Sequence, residues 1–123
     1  MLSDTMVCPT IPVTDMARAK KFYGETLGLK PGPEDPGGVV FQAGAGTAVY
    51  LYQRGPSQAD HTLASFKVDD AEAEVKALAA KGVTFEDYDL PNLKTVNHIA
   101  TMGNMKGAWF KDPDGNILSL SEM

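Results

Sequence analysis

Cys8, His61 and His98 are the side chains of this sequence best suited to act as nucleophile, base or soft metal ligand near neutral pH. A thiol becomes a working nucleophile when a cationic or imidazole neighbour lowers its pKa. Nothing close to Cys8 in the chain supplies one, so it reads as a small, buried, apolar cysteine. The two histidines do not form a metal dyad, because no H-x-H, H-x-x-x-H or E-x-x-H spacing occurs. His61 reads as a polar residue at the start of a strand. His98 reads as a histidine of a surface loop, within a segment able to fold over the mouth of a cleft. Tyr50, Tyr52, Trp109 and Phe110 are aromatic enough to line an apolar pocket, although strand alternation sends half of any such set to the other face. The glycines of Gly44-Ala45-Gly46-Thr47 belong to a hairpin turn. They do not form a phosphate loop or a dinucleotide fingerprint.

These residues must be held by strands and short helices. A first strand is expected over residues 5–13, at an edge because Pro9 and Pro12 cannot donate to a ladder. Thr14 or Asp15 caps a helix whose apolar face is Ala19, Phe22, Tyr23 and Leu27. Gly28 ends it in the left-handed conformation. Leu29 and Lys30 start a short strand, and residues 31–38 (PGPEDPGG) read as a loop. Residues 39–42 and 47–53 form a hairpin, and 54–60 a connector. A strand follows over 62–68. Asp69 or Asp70 then caps a second helix with Ala71, Val75, Leu78 and Ala79 on its apolar face and a favourable Glu72–Lys76 pair. Gly82 closes it, and 83–88 reads as a strand. Residues 89–106 lack periodicity, and a segment of this kind is usually functional or mobile. Residues 107–111 and 116–122 form the last hairpin about Asp112-Pro113-Asp114-Gly115, where Pro113 presets φ and Gly115 accepts a positive one.

That last hairpin has a fainter copy upstream. A shift of 69 positions (115 − 46) lays Phe41 on Phe110, Gly46 on Gly115, Val49 on Leu118 and Leu51 on Leu120. A shift of 55 (68 − 13) lays Val13-Thr14-Asp15 on Val68-Asp69-Asp70, each opening a helix. The chain is therefore read as two β-α-β-β-β units, residues 5–55 and 61–123, within a single domain, 1–123. Two copies are too few for a solenoid.

Composition sets outer bounds. The length suits one domain with a sizeable core. A net charge of −5, with no stripe of Lys and Arg, argues against a nucleic-acid partner. No apolar run reaches the roughly 18 residues of a spanning helix, and the start M-L-S-D-T-M lacks signal-peptide patterning. A single cysteine excludes an internal disulfide and fits a reducing compartment. The expectation is a cytoplasmic protein with no membrane partner.

Val13 to Leu29 (VTDMARAKKFYGETLGL) and Phe110 to Leu120 (FKDPDGNILSL) resemble the first-helix and closing-hairpin signatures of the vicinal oxygen chelate superfamily. That family holds glyoxalase I, bleomycin-resistance proteins, fosfomycin-resistance enzymes and extradiol dioxygenases. The resemblance spans both repeats. It implies an α+β fold in which the two units form an open, curved, eight-stranded mixed sheet around a cleft, and it implies a homodimer. Metal-dependent members place one ligand on each of four strands. Two lie seven residues before the acidic residue of each helix start (15 − 7 and 70 − 7), which gives Cys8 and Leu63 here. Two lie four residues after each turn glycine (46 + 4 and 115 + 4), which gives Tyr50 and Ser119. If the register holds, alternation puts all four on the concave face.

Family members with a metal use His, Glu or Gln at these positions. Leu63 offers no donor, Ser119 and Tyr50 are poor ligands at neutral pH, and Cys8 alone makes no site. The first reading is thus a cleft, lined by Cys8, Tyr50, Gln53, Leu63, His98, Trp109 and Ser119, that binds a small organic molecule with no metal and no cofactor. A second is a metal-dependent lyase, isomerase or dioxygenase with ligands elsewhere, drawn from His61, His98, Asp60 and Glu122. A third is a dimeric interaction module with no small ligand. Catalytic residues are not assigned on any of the three.

Overall fold

The computed structural model describes residues 1–122, which fall into two compact units, 1–57 and 58–122. In the first, β1 (Thr10–Val13) leads through α1 (Met16–Lys21) to β2 (Lys30–Asp35), β3 (Gly38–Gln42) and β4 (Ala48–Gln53). Its sheet runs β1-β4-β3-β2, with β1 and β4 parallel and the other pairs antiparallel. In the second, β5 (Thr62–Lys67) leads through α2 (Ala71–Ala80) to β6 (Asp89–Leu90), β7 (Leu93–Lys94), β8 (Ala100–Met102), β9 (Met105–Lys111) and β10 (Ile117–Glu122). Its sheet runs β5-β10-β9-β8, and β6 pairs with β7 as a separate ribbon. The fold is α+β, with two four-stranded mixed sheets of the same strand order.

The register repeats as well as the order. Val40 pairs with Tyr50 in the first unit; their counterparts at a shift of 69, Trp109 and Ser119, pair in the second. Thr10 pairs with Tyr50, and at a shift of 55 Ser65 pairs with Ser119. Alternation then fixes one buried face in each unit. Val39, Phe41, Val49 and Leu51 are buried in the first, and Ala108, Phe110, Leu118 and Leu120 in the second. Helix α1 packs on β4, while α2 packs on β9 and β10. Each large apolar side chain removed from water in this way contributes about 1.5–3 kcal/mol.

Both helices start on the second of the two candidate caps. The Asp15 carboxylate accepts from the Arg18 amide, and that of Asp70 from the Ala73 amide, each at 3.1 Å. The first helix is not uniformly α. It widens after Lys21 into a π-helical turn, Phe22–Thr26, where the Leu27 amide reaches back to the Phe22 carbonyl at 2.9 Å. Tyr23 in that turn is wholly buried, with Phe22 edge-on at 5.4 Å.

Four expectations are corrected. The first strand covers Thr10–Val13, not 5–13, because ladder pairing with β4 begins at Thr10. Residues 31–35 are not loop. They continue β2, which tolerates Pro31 and Pro33 because it is an edge strand with an irregularity between Pro31 and Glu34. Residues 83–88 do not form a strand; Phe85 alone bridges, to Phe110. Finally, 89–106 is not wholly irregular, since it contains β6, β7 and β8.

The last two corrections have one cause. On β3, Pro31 stands opposite Phe41, and Asp35 opposite Gly38. At a shift of 69 those partners become Phe110 and Gly107, which face Phe85 and Ala100. The edge position filled by β2 in the first unit is therefore filled twice in the second. The chain touches β9 at Phe85, leaves over residues 86–99, and returns as β8. The β6–β7 ribbon lies within that excursion.

Candidate functional site

On the β3/β4 face turned away from the buried side chains, the Tyr50 hydroxyl donates to Asp35 at 3.0 Å. The same carboxylate accepts the amides of Gly37 and Gly38, at 2.8 and 3.0 Å. The bond from Tyr50, followed by those amides, holds the Asp35 carboxyl below its ordinary pKa. Partial burial, followed by the adjacent carboxylate, pushes the Tyr50 phenol above its own. Tyr50 is thus a neutral hydrogen-bond donor near neutral pH. A Cβ at Gly38 would lie 2.0 Å from the Leu51 carbonyl and 2.9 Å from the Tyr50 ring, so only glycine fits beneath it.

The second unit also lays a ring over the matching glycine, but from the glycine's own strand. Gly107 is the counterpart of Gly38, and the Trp109 indole lies over it, 3.1 Å from where a Cβ would stand. Tyr88 meets Trp109 edge-on at 5.6 Å. Ser119, buried to 6% exposure, donates to the Ser65 hydroxyl at 2.8 Å. Trp109, Ser119 and Ser65 occupy paired positions on adjacent strands, and Tyr88 joins them from the 86–99 excursion.

The remaining sequence candidates stand apart. Cys8 precedes β1 and is exposed, which corrects its reading as a buried residue; its thiol donates to the Ala48 carbonyl at 3.3 Å. Leu63 is the extra residue of a bulge, since Thr62 faces Ile117 while Ala64 faces Leu118. Gln53 is exposed at the end of β4, one position out of phase with Tyr50. His61 is exposed beside Asp60 at 3.7 Å. Glu122 accepts the Ala71 amide at 2.8 Å at the start of α2.

His98 lies on the helix side of the second sheet. Phe110 and Trp109 project to opposite faces, and it is Phe110 that meets Phe85, which in turn meets His98, as tilted ring pairs at centroid distances of 5.5 and 6.0 Å. The His98 Nδ1 is 2.9 Å from an Asp87 carboxylate oxygen. Asn97 and His98 both have positive φ, 54° and 72°, at the tip of a two-residue turn closed by Val96 and Ile99. This is type I′ turn geometry, in which glycine is preferred at the second position. Holding a non-glycine residue there costs roughly 1–2 kcal/mol. Composition gave no sign of this site; the absence of periodicity in 89–106 was the only signal.

That turn borders a groove of about 720 Å³ between α2 and residues 94–101. Glu72, at its rim, is bound by Lys106 at 3.0 Å and not by Lys76, which corrects the expected helix pair. The Lys106 ammonium is held above its usual pKa by that bond, then by the charges of Glu72 and Glu122. A smaller groove of about 620 Å³ beside α1 includes the Lys20–Glu34 ion pair.

The donors at the four family positions do not fit a divalent cation. Leu63 has no donor atom, the Tyr50 phenol is committed to Asp35 and hard to ionise, and the Ser119 hydroxyl is committed to Ser65. Among the described residues no group of three or more His, Cys, Asp or Glu side chains converges. His61, His98 and Glu122 each have a different partner, as given above.

No curated protein matches the sequence. Solved structures do. A superfamily member from Sphaerobacter thermophilus DSM 20745 is 28% identical over 100% of both chains, with a TM-score of 0.77. TnmS3, an antibiotic binding protein from Streptomyces sp. CB03234, is 26% identical over 99% of this chain and 98% of its own, with a TM-score of 0.70. Lactoylglutathione lyase from Agrobacterium tumefaciens shares the fold at 19% identity, over 97% and 93% of the two chains, with a TM-score of 0.72. Residues 5–120 match the profile of one family. With that match covering both repeats, the chain belongs to the Glyoxalase/Bleomycin resistance protein/Dioxygenase superfamily.

Proposed function

We propose that this protein binds a small organic molecule, without the metal site of the family's enzymes. The observation that carries the reading is the state of the four family positions. Tyr50 and Ser119 present hydroxyls already bonded to Asp35 and Ser65, Leu63 presents carbon, and Cys8 is left without a partner ligand. A surface of this kind holds its ligand by aromatic burial and a few hydrogen bonds. Trp109, Tyr88, Ser119 and Ser65, all of the second unit, are the contacts. The likeness to an antibiotic binding protein at 26% identity supports a ligand of antibiotic type, and the rings of Trp109 and Tyr88 suit an aromatic one. Residues 1–123 act on this reading as one module, paired as a homodimer.

The test is a thermal-shift screen of aromatic antibiotics with and without EDTA. Ligand at about a hundred times its Kd adds about 2.7 kcal/mol of stability, and EDTA is expected to leave that gain unchanged. Stabilisation by stoichiometric Zn²⁺, Ni²⁺ or Mn²⁺ that EDTA reverses, with turnover of a hemithioacetal or a catechol, would overturn the reading in favour of a metal-dependent enzyme.

A further inference from the structure

We infer that the groove between α2 and residues 94–101 is a second binding site, on the opposite side of the β9/β10 sheet from Trp109 and Ser119, for a small organic carboxylate with an apolar body and a hydroxyl group. Three independent features of the groove converge on that chemistry.

The first is uncompensated positive charge. Lys76 on α2 and Lys94 at the end of β7 both line the groove, and neither has an ion-pair partner among the described residues. The carboxylate expected to neutralise Lys76, Glu72, is held by Lys106 instead. In a chain of net charge −5, two unpaired ammonium groups facing one concavity form a local attraction for an anion.

The second is an apolar wall. Val75 and Ile99 line the groove and are buried to 6% and 9% exposure, while Val96 stands 67% exposed at its rim. The volume of about 720 Å³ lies within the range of small-molecule sites. A purely inorganic anion would leave this wall uncovered.

The third is an oriented imidazole. An ionised carboxylate only accepts hydrogen bonds, so the bond from His98 to Asp87 places the ring hydrogen on Nδ1. With Nδ1 engaged by Asp87, Nε2 is the ring atom left open, with no partner among the described residues. Phe85 lies beside the ring, at a centroid distance of 6.0 Å and a tilt of 30°. A ligand hydroxyl, which can donate or accept, satisfies Nε2, while the lysines take the carboxylate. The left-handed backbone at Asn97 and His98 is the price of presenting the ring at that point.

The test is an amide chemical-shift titration of the full chain with 4-hydroxybenzoate, benzoate and 4-hydroxybenzyl alcohol. 4-Hydroxybenzoate is expected to shift amides of residues 72–79 and 94–101, and the uncharged alcohol to leave them in place. A K76Q/K94Q double variant, altered only at exposed lysines, is expected to weaken 4-hydroxybenzoate about tenfold. H98F keeps the ring on Phe85 but removes both nitrogens. It is expected to abolish a preference of about fivefold for 4-hydroxybenzoate over benzoate. Three outcomes overturn the proposal: no shifts at the groove, affinity unchanged in K76Q/K94Q, or shifts confined to Trp109 and residues 117–121. The last outcome leaves the sheet-face reading of the previous subsection intact. Loss of antibiotic binding with the groove titration preserved does the reverse.

Discussion

The two units solve one packing problem with the same register and then diverge at their edges. In the first, β2 runs along β3 without leaving the sheet, and its Asp35 carboxylate ties down Tyr50 and the Gly37–Gly38 backbone. In the second, the equivalent edge is broken between Phe85 and Ala100, and the intervening chain supplies Tyr88 to one sheet face and His98 to the other. Symmetry in the ladder coexists with asymmetry in everything attached to it. Backbone hydrogen bonds constrain the central strands in both units, whereas an edge strand has only one neighbour to satisfy.

The sharpest way to break the comparison is at its best-matched pair, Phe41 and Phe110, which are 2% and 0% exposed. If the two cores are equivalent, F41A and F110A each lower unfolding free energy by about 3–5 kcal/mol. Urea denaturation measures both. A cost below about 1 kcal/mol for either would show that the repeat is one of sequence alone.

The hairpin turns give a smaller contrast. The buried Asp112 carboxylate accepts the amides of Asp114 and Asn116 at 2.9 Å and the Asn116 side-chain nitrogen at 2.8 Å. Its counterpart in the first unit is Ala43, which contributes only backbone, to the Thr47 carbonyl at 2.9 Å. D112A is expected to cost about 2–3 kcal/mol, since it strands buried donors, while substitution of the exposed Thr47 by Ala costs less than about 1. Thermal unfolding of the two variants reads the difference, and equal costs would sink it.

The smallest effect concerns pH and the Asp35–Tyr50 pair of the first unit. The folded-state pKa of Asp35 is depressed, so its contribution to stability is present above the unfolded carboxylate value and is lost as pH falls through the folded one. Tyr50 is raised, so its contribution is present below the unfolded phenol value and is lost as pH rises through the folded one. Y50F removes the hydrogen bond that does most to hold the Asp35 carboxyl low. It is expected to move the Asp35 titration, followed by carbon NMR, towards the ordinary carboxylate value. An unmoved titration would mean that the glycine amides alone set it.

The central strands were legible in the sequence for a definite reason. Shifts of 69 and 55 align residues that the ladders themselves pair, so Val40–Tyr50 and Trp109–Ser119 are equated by residue numbers alone. The edges were not legible, because their residues answer to one neighbour only. Pro31, Gly32 and Pro33 read as loop by composition and are strand by position. Val83 to Tyr88 alternates like a strand, yet Phe85 alone bridges, because the chain departs to form the β6–β7 ribbon. The site was legible in part. Tyr50 and Ser119 followed from the family resemblance, which the shift of 69 supported, while the partners that decide their chemistry, Asp35 and Ser65, did not. The Asp87–His98 contact spans the excursion and leaves no trace in local spacing.

The excursion over residues 86–99 is anchored at both ends to the same strand, at Phe85 and at Ala100. Its own ribbon and turn close on themselves, through Leu90–Leu93 and Val96–Ile99. A segment tethered in this way behaves as an interchangeable cassette. Its length and its side chains can be rewritten without disturbing a single ladder pair of the frame, so what it presents to either sheet face is free to change faster than the frame itself.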